Sequence, residues 1–121
     1  MEHTEGFLKI VDDAKTRVRE VDVTAALERL KAGAKLIDVR EDNEWGRGRA
    51  RGAEHMGRGV IERDIERAVP DHDAELILYC GGGYRSALAA DNLQRMGYTN
   101  VHSLAGGWKA WKDAGAPHEG Q

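Results

Sequence analysis

The single cysteine of this chain, Cys80, lies where an apolar segment meets three consecutive glycines. Leu76–Tyr79 predicts a strand, Gly81–Gly83 permit backbone angles that other residues avoid, and a helical pattern opens at Arg85 and Ser86. A strand, a glycine loop and a helix start in this order direct backbone N–H groups and partial positive charge toward the thiol. Because these groups favour the nucleophilic thiolate, the sequence predicts an activated cysteine in an anion-binding loop.

A purely structural interpretation of this loop has to be weighed as well. A lone cysteine at the end of a strand is often a small buried hydrophobic residue, and three glycines can form an ordinary turn. Glycine costs backbone entropy, however, and one glycine is usually enough for a turn. The run Gly81–Gly83 therefore favours the functional interpretation.

Composition limits the other classes of function. The chain has 121 residues and a net charge of −3, which fits one globular domain and provides no electrostatic case for a nucleic-acid or anionic-membrane partner. Its apolar runs are too short to span a bilayer. With one cysteine there is no internal disulfide, so we expect a reducing, cytoplasmic setting.

Metal and cofactor motifs are absent from the sequence. No two of the five histidines have the i, i+4 spacing of a helical metal site, and no second cysteine is available. The P-loop lysine is missing, and Ser86 interrupts the glycine pattern of a dinucleotide-binding loop. We therefore expect neither a metal nor an organic cofactor.

Hydrophobic periodicity predicts strands that alternate with helices, which is typical of a mostly parallel sheet covered on both faces. In such sheets ligands bind beyond the carboxyl ends of the strands, where Arg40 and Cys80 are both expected. Residues 41–51 are charged and predict a loop with one helical turn around Glu44 and Trp45. The predicted strands are residues 18–21, 36–40, 52–56, 76–79 and 101–104, and the predicted helices are residues 6–17, 23–33, 60–69, 85–96 and 106–115.

Two helices carry more specific expectations. The first should bury one side formed by Phe7, Ile10, Val11 and Ala14. In the last, Trp108 and Trp111 are three residues apart, which indicates core packing.

Four blocks of sequence, in this order and spacing, resemble signatures of the rhodanese-like sulfurtransferases. They are Leu36–Glu41, Glu44–Ala53, Tyr79–Ser86 and Leu104–Trp111, and the resemblance covers about residues 18–117. It implies a small α/β fold: a rhodanese-like domain over residues 18–121 with a five-stranded, mostly parallel sheet and helices on both faces. Residues 1–17 would then be an N-terminal helical extension.

The resemblance also implies a reaction, that of a thiosulfate:cyanide sulfurtransferase. Cys80 would attack the outer sulfur of a small-molecule donor such as thiosulfate, release sulfite and carry a persulfide. The terminal sulfur would then pass to cyanide or to a thiol, including thioredoxin-like or other protein thiols. No cofactor is needed, since the covalent intermediate carries the transferred group.

Site residues follow from the same resemblance. Arg85 would orient the loop or contact the anion, and Ser86 would contact substrate or cap the following helix. Asp38 and Glu44 are expected to hold Arg40 or Arg85 by charge-assisted hydrogen bonds. Substrate would be bound by the loop, which consists of Gly81, Gly82, Gly83, Tyr84, Arg85 and Ser86.

The chain also departs from the family pattern. Arg49 and Ala50 stand where the family often has His and Ile, which raises the question of local packing. Glycines follow Cys80 where some thiosulfate-preferring relatives carry Arg or Lys, so we expect a neutral rim that accepts a bulkier persulfide or a protein thiol.

An activated cysteine admits three alternatives to sulfur transfer. Four residues separate Cys80 from Arg85, one fewer than in tyrosine phosphatases, which argues against phosphatase or arsenate reductase activity. A redox sensor is disfavoured because no resolving cysteine is present. A non-catalytic sulfur-carrier module, loaded by a protein partner, remains open.

Overall fold

The structure, a computed structural model, describes residues 3–120, in which six helices and seven strands are present. The helices are α1 (Glu5–Lys15), α2 (Val23–Lys31), α3 (Asp42–Arg47), α4 (Ile61–Ala68), α5 (Tyr84–Arg95) and α6 (Gly107–Asp113). The strands are β1 (Arg19–Val21), β2 (Lys35–Asp38), β3 (Gly48–Ala50), β4 (Glu54–His55), β5 (Leu76–Tyr79), β6 (Val101–Leu104) and β7 (His118–Gly120).

Five strands form one parallel sheet in the order β1-β6-β5-β2-β4. The central strand β5 is buried along its whole length, as its continuous apolar run predicts. Alternate residues point to opposite faces. Leu76 and Leu78 pack in the core with α4 and α5, while Ile77 and Tyr79 pack with α2 and α6. The predicted five-stranded sheet with helices on both faces is thus confirmed.

The N-terminal helix α1 packs on α5. Val11 and Ala14 are buried against Leu88, and the guanidinium of Arg17 donates to both carboxylate oxygens of Asp91 at 2.9 and 2.8 Å. Burial of Ile10 was predicted and is wrong: this side chain is 52% exposed. The packed face is centred between Val11 and Ala14, and Ile10 lies beyond its edge.

The charged segment after β2 contains more regular structure than predicted. It forms α3 and β3, and β3 pairs antiparallel with β7, a strand that was not predicted. The first turn of α3 is stabilised where the carboxylate of Glu44 accepts the backbone N–H of Glu41 at 3.1 Å. The partners Ala50 and His118 lie far apart in sequence, so no local pattern signals this pairing.

The two residues that depart from the family pattern are accommodated in this region. The guanidinium of Arg49 stacks on Trp45, 4.7 Å from the ring centroid, and donates to the Trp45 carbonyl at 3.0 Å. Ala50 is buried and its N–H donates to the hydroxyl of Tyr79 at 3.1 Å. Trp45 also stacks on His55, so it is a packing residue.

None of the helices within residues 3–120 has the length and apolar character that crossing a membrane requires.

The contrast between Val11 and Ile10 provides a test of how α1 is held. Val11→Ala should lower the free energy of unfolding by about 1 to 3 kcal/mol, because it removes two fully buried methyl groups. Ile10→Ala on the same helix should change it by less than about 0.5 kcal/mol. Urea denaturation of both variants measures the difference, and equal effects would contradict the described docking of α1.

Candidate active site

The thiol of Cys80 lies at the carboxyl end of β5, surrounded by polar groups of the loop that follows. Its Sγ accepts the backbone N–H of Gly83 at 3.1 Å and that of Ser86 at 3.4 Å. The Ser86 hydroxyl lies 3.5 Å from Sγ and is held at 2.8 Å by the hydroxyl of Ser103. Two backbone N–H groups and one hydroxyl are thus gathered around the sulfur.

The loop owes its shape to a left-handed glycine. Gly83 has φ of +99° and is the N-cap of α5, which begins at Tyr84. Ser86 therefore lies inside the first turn and does not cap the helix, which corrects one of its two expected roles. Its buried hydroxyl instead connects the sulfur to Ser103 on β6.

The start of α6 is docked against this loop. The N–H of Trp108 donates to the carbonyl of Cys80 at 2.7 Å, and that of Lys109 donates to the carbonyl of Gly81 at 3.3 Å. Gly107 approaches so closely that a Cβ atom there would lie 2.3 Å from the Cys80 carbonyl oxygen. The closing sequence block is thus part of the structure that holds the cysteine.

Arg85 makes a two-bond ion pair with Glu44 of α3. Its Nη1 and Nη2 donate to the two carboxylate oxygens at 2.7 and 3.1 Å. These hydrogen bonds lower the pKa of Glu44 to about 2, against the opposing effect of burial, and they raise the pKa of Arg85. The guanidinium is therefore occupied on this side, which supports the role of orienting the loop.

Asp38 and Arg40 form a second, fully buried ion pair. The guanidinium donates to both Asp38 oxygens, at 2.8 Å for the shortest bond, and to the carbonyl of Gly48 at 2.6 Å. Burial acts to lower the pKa of Arg40, but the hydrogen bonds and charge of Asp38 outweigh it and the pKa is raised. Arg40 also stacks under Trp108, 4.9 Å from the ring centroid. This pair does not reach the thiol; it supports the helix that docks on Cys80.

A cavity of about 620 Å³ opens over the cysteine. Of the predicted binding residues Gly81, Gly82, Tyr84 and Arg85 line it, whereas Gly83 and Ser86 lie behind the sulfur. Three further lining residues, His3, Phe7 and Arg58, were not predicted; Glu44 and Cys80 complete the wall.

One wall of this cavity is aromatic and is built partly by the N-terminal segment. The ring centroids of His3 and Tyr84 are 4.3 Å apart, and those of Phe7 and Tyr84 are 6.3 Å apart. Lys15 lies over the same Tyr84 ring at 5.1 Å. No sequence signal linked residues this early in the chain to the cysteine loop.

The chain matches the family model for the rhodanese-like domain over residues 22–114. The chain therefore belongs to the rhodanese-like family. It is 35% identical over 107 residues to thiosulfate sulfurtransferase 16, chloroplastic, of Arabidopsis thaliana, covering 80% of this chain and 89% of that protein. It is 34% identical over 131 residues to the mitochondrial protein HIGH ARSENIC CONTENT 1 of the same plant, covering 94% of this chain and 75% of that protein.

A solved structure also resembles this chain over nearly its whole length. A Rhodopseudomonas palustris protein of unknown function, described as a possible tyrosine phosphatase, superposes with a TM-score of 0.83 at 32% identity. The match covers 98% of each chain, so it includes the N-terminal segment that lies outside residues 22–114.

Arg58 contradicts the expectation of a neutral rim around the rhodanese-like loop. Arg58 lines the cavity, and its backbone N–H donates to the carbonyl of Val39 at 3.0 Å. The segment after β4 thus follows the end of β2 to the same sheet edge as Cys80. Glycines on both sides, Gly57 and Gly59, were the one sequence signal available for this position.

Among residues 3–120, no cluster of three or more His, Cys, Asp or Glu suits a metal ion.

The docking of α6 on the cysteine loop leads to a test with two glycines of positive φ. Gly107→Ala should destabilise the protein by about 1 to 3 kcal/mol more than Gly115→Ala, because the new Cβ would collide with the Cys80 carbonyl. Gly115 has φ of +70° but open space around it, so its change measures backbone strain alone. Chemical denaturation provides both values, and equal losses would contradict the close approach.

The Glu44–Arg85 pair predicts a pH-dependent contribution to stability. The pKa of Glu44 is lowered from 4.5 to about 2, so the stabilisation is complete above about pH 5 and is lost as the pH falls toward 2. Glu44→Gln should therefore cost about 1 kcal/mol at pH 7, and this difference from the unsubstituted protein should shrink in that acid range.

The control for this pair is Glu54→Gln, which changes an exposed carboxylate on β4 with no ion pair among the described residues. Urea midpoints measured between pH 2.5 and 7 should show a pH-dependent difference for Glu44→Gln alone. A difference that stays constant over the whole range would contradict the assigned role of the Glu44 charge.

Proposed function

We propose that this rhodanese-like domain is a sulfurtransferase enzyme that moves a sulfane sulfur through a persulfide on Cys80. The donor would be thiosulfate or a persulfide, and the acceptor cyanide or a thiol of a small molecule or protein. The observation that carries this proposal is the position of the Cys80 sulfur: at the base of a cavity, with the N–H groups of Gly83 and Ser86 directed at it.

The proposed reaction has two displacement steps. The thiolate of Cys80 attacks the sulfane sulfur of thiosulfate, the S–S bond of the donor breaks, and sulfite leaves with the electron pair. The acceptor then attacks the terminal sulfur of the Cys80 persulfide and releases the thiolate. Each step forms one bond to sulfur and breaks one, so no external oxidant or reductant enters. The loop N–H groups are suited to hold the anionic sulfur between the steps.

Two further observations support sulfur transfer over phosphoryl chemistry. The cysteine loop has four residues between Cys80 and Arg85, one fewer than in tyrosine phosphatases. The guanidinium that would face a phosphate is already bonded to both oxygens of Glu44. The name of the Arabidopsis relative, thiosulfate sulfurtransferase 16, agrees with the proposed activity.

Intact-mass spectrometry of the reduced protein after brief exposure to thiosulfate tests the proposal directly. We expect the mass to increase by one sulfur atom, cyanide to remove that sulfur, and Cys80→Ser to remain unchanged. If thiosulfate fails, mercaptopyruvate and glutathione persulfide are the next donors. Failure of all three to load Cys80 would contradict the proposal.

Turnover separates the enzyme from a sulfur-carrier module. An enzyme should produce thiocyanate continuously from a donor and cyanide, at a rate that depends on Cys80. A carrier would load the same cysteine but cycle slowly without its protein partner. Loading without turnover would therefore support the carrier.

A further inference from the structure

We propose that Arg58 binds the anionic group of the sulfur donor and thereby selects donors that carry a carboxylate or sulfonate beside the sulfane sulfur. This inference rests on the proposed sulfurtransferase function. It assigns a specificity-determining residue outside the cysteine loop.

The position of Arg58 suits this role. It lines the cavity over Cys80, where the carboxylate among the lining residues, Glu44, already pairs with Arg85. It also lines a neighbouring pocket together with Glu41, Asp42 and Asp64, and among the described residues it forms an ion pair with none of them. Its backbone is fixed to the end of β2 through the 3.0 Å bond to the Val39 carbonyl. Arg58 is thus one of the residues around the cavity that a donor has to enter to reach the sulfur.

The hydrogen-bonding state of Arg58 indicates a missing acceptor. Its Nε is buried and has no hydrogen-bond partner among the described residues. Within residues 3–120, Arg58 forms no ion pair, whereas Arg40 and Arg85 each pair with a carboxylate. Buried N–H groups are nearly always paired, so an unpaired one on a residue that lines the cavity leaves hydrogen-bonding capacity for a ligand.

Charge in the cavity leads to the same class of ligand. Glu44 and Arg85 pair with each other, which leaves Arg58 as the arginine of the lining that has no ion pair among the described residues. An anionic donor approaching a thiolate is repelled unless a cation accepts its charge. The planar guanidinium can bond two oxygens of a carboxylate or sulfonate at once, so it would both attract the donor and fix its orientation.

The step that loads sulfur onto Cys80 balances for both kinds of donor, an organic persulfide and thiosulfate. With an organic persulfide, the Cys80 thiolate attacks the outer sulfur, the S–S bond of the donor breaks, and the donor thiolate leaves with the electron pair. With thiosulfate the leaving group is sulfite. In both cases the anionic group stays on the leaving portion, where Arg58 would hold it.

Two persulfides of similar size, made from mercaptoacetate and 2-mercaptoethanol, test the inference, because only the first has a carboxylate. Single-turnover loading of Cys80 is followed by rapid quench and intact mass, with thiosulfate as the sulfonate donor. Arg58→Met should lower the loading rate constant about 10- to 100-fold for an anionic donor and less than about threefold for the hydroxyl donor. Arg58→Lys should restore part of the loss.

Arg67→Met is the matched control, since it removes an exposed positive charge on α4 outside the cavity. It should leave all three loading rates within about twofold. The urea midpoint of Arg58→Met establishes that the variant is folded under assay conditions. Alkylation of Cys80 by iodoacetamide, which carries no anionic group, should change in rate by less than about threefold in Arg58→Met at the assay pH.

Several results would overturn the inference. Equal losses with the carboxylate and hydroxyl donors, or an equally large loss in the alkylation rate, would show that Arg58 acts on Cys80 instead of the donor. Unchanged loading by the anionic donors would show that it does neither. If the unsubstituted protein is loaded by none of these donors, the proposed function itself fails, which is distinct from a defect confined to Arg58→Met.

Discussion

The bond between the Trp108 N–H and the Cys80 carbonyl is the contact on which the site depends. At 2.7 Å it ties the end of the central strand β5 to the start of α6, and Gly107 makes that approach possible. With its carbonyl fixed from behind, Cys80 can present its sulfur to the N–H groups of the loop. The buried Asp38–Arg40 pair supports the same contact, because Arg40 stacks under the Trp108 ring.

Two ion pairs at the carboxyl edge of the sheet have different consequences for chemistry. The Asp38–Arg40 pair is buried and supports the start of α6 through Trp108. The Glu44–Arg85 pair borders the cavity, and the guanidinium of Arg85 is already bonded to a carboxylate there. The site therefore combines a sulfur held by neutral N–H donors with a cation, Arg58, that comes from a separate strand connection. Under the proposals for Cys80 and Arg58, activation of the nucleophile is separated from recognition of the donor.

Sequence patterns predicted the parts of this structure that depend on local information. The apolar run Leu76–Tyr79, the glycines after Cys80 and the tryptophans of α6 all lie as expected. The antiparallel pair β3–β7 was missed because its strands are three residues long and distant in sequence. Arg58 was missed for a related reason: its place in the cavity depends on β4 pairing beside β2, which no single segment reveals.

The aromatic wall of the cavity over Cys80 combines residues from two parts of the chain, with His3 and Phe7 contacting the ring of Tyr84. Tyr84 belongs to the segment matched by the rhodanese-like family model, whereas His3 and Phe7 precede it. The five-stranded sheet includes no strand from residues 3–17, so this segment can vary without altering strand pairing. Cavity shape can thus vary separately from the cysteine loop, and grafting a different N-terminal helix onto α5 offers a route to change the size of the cavity.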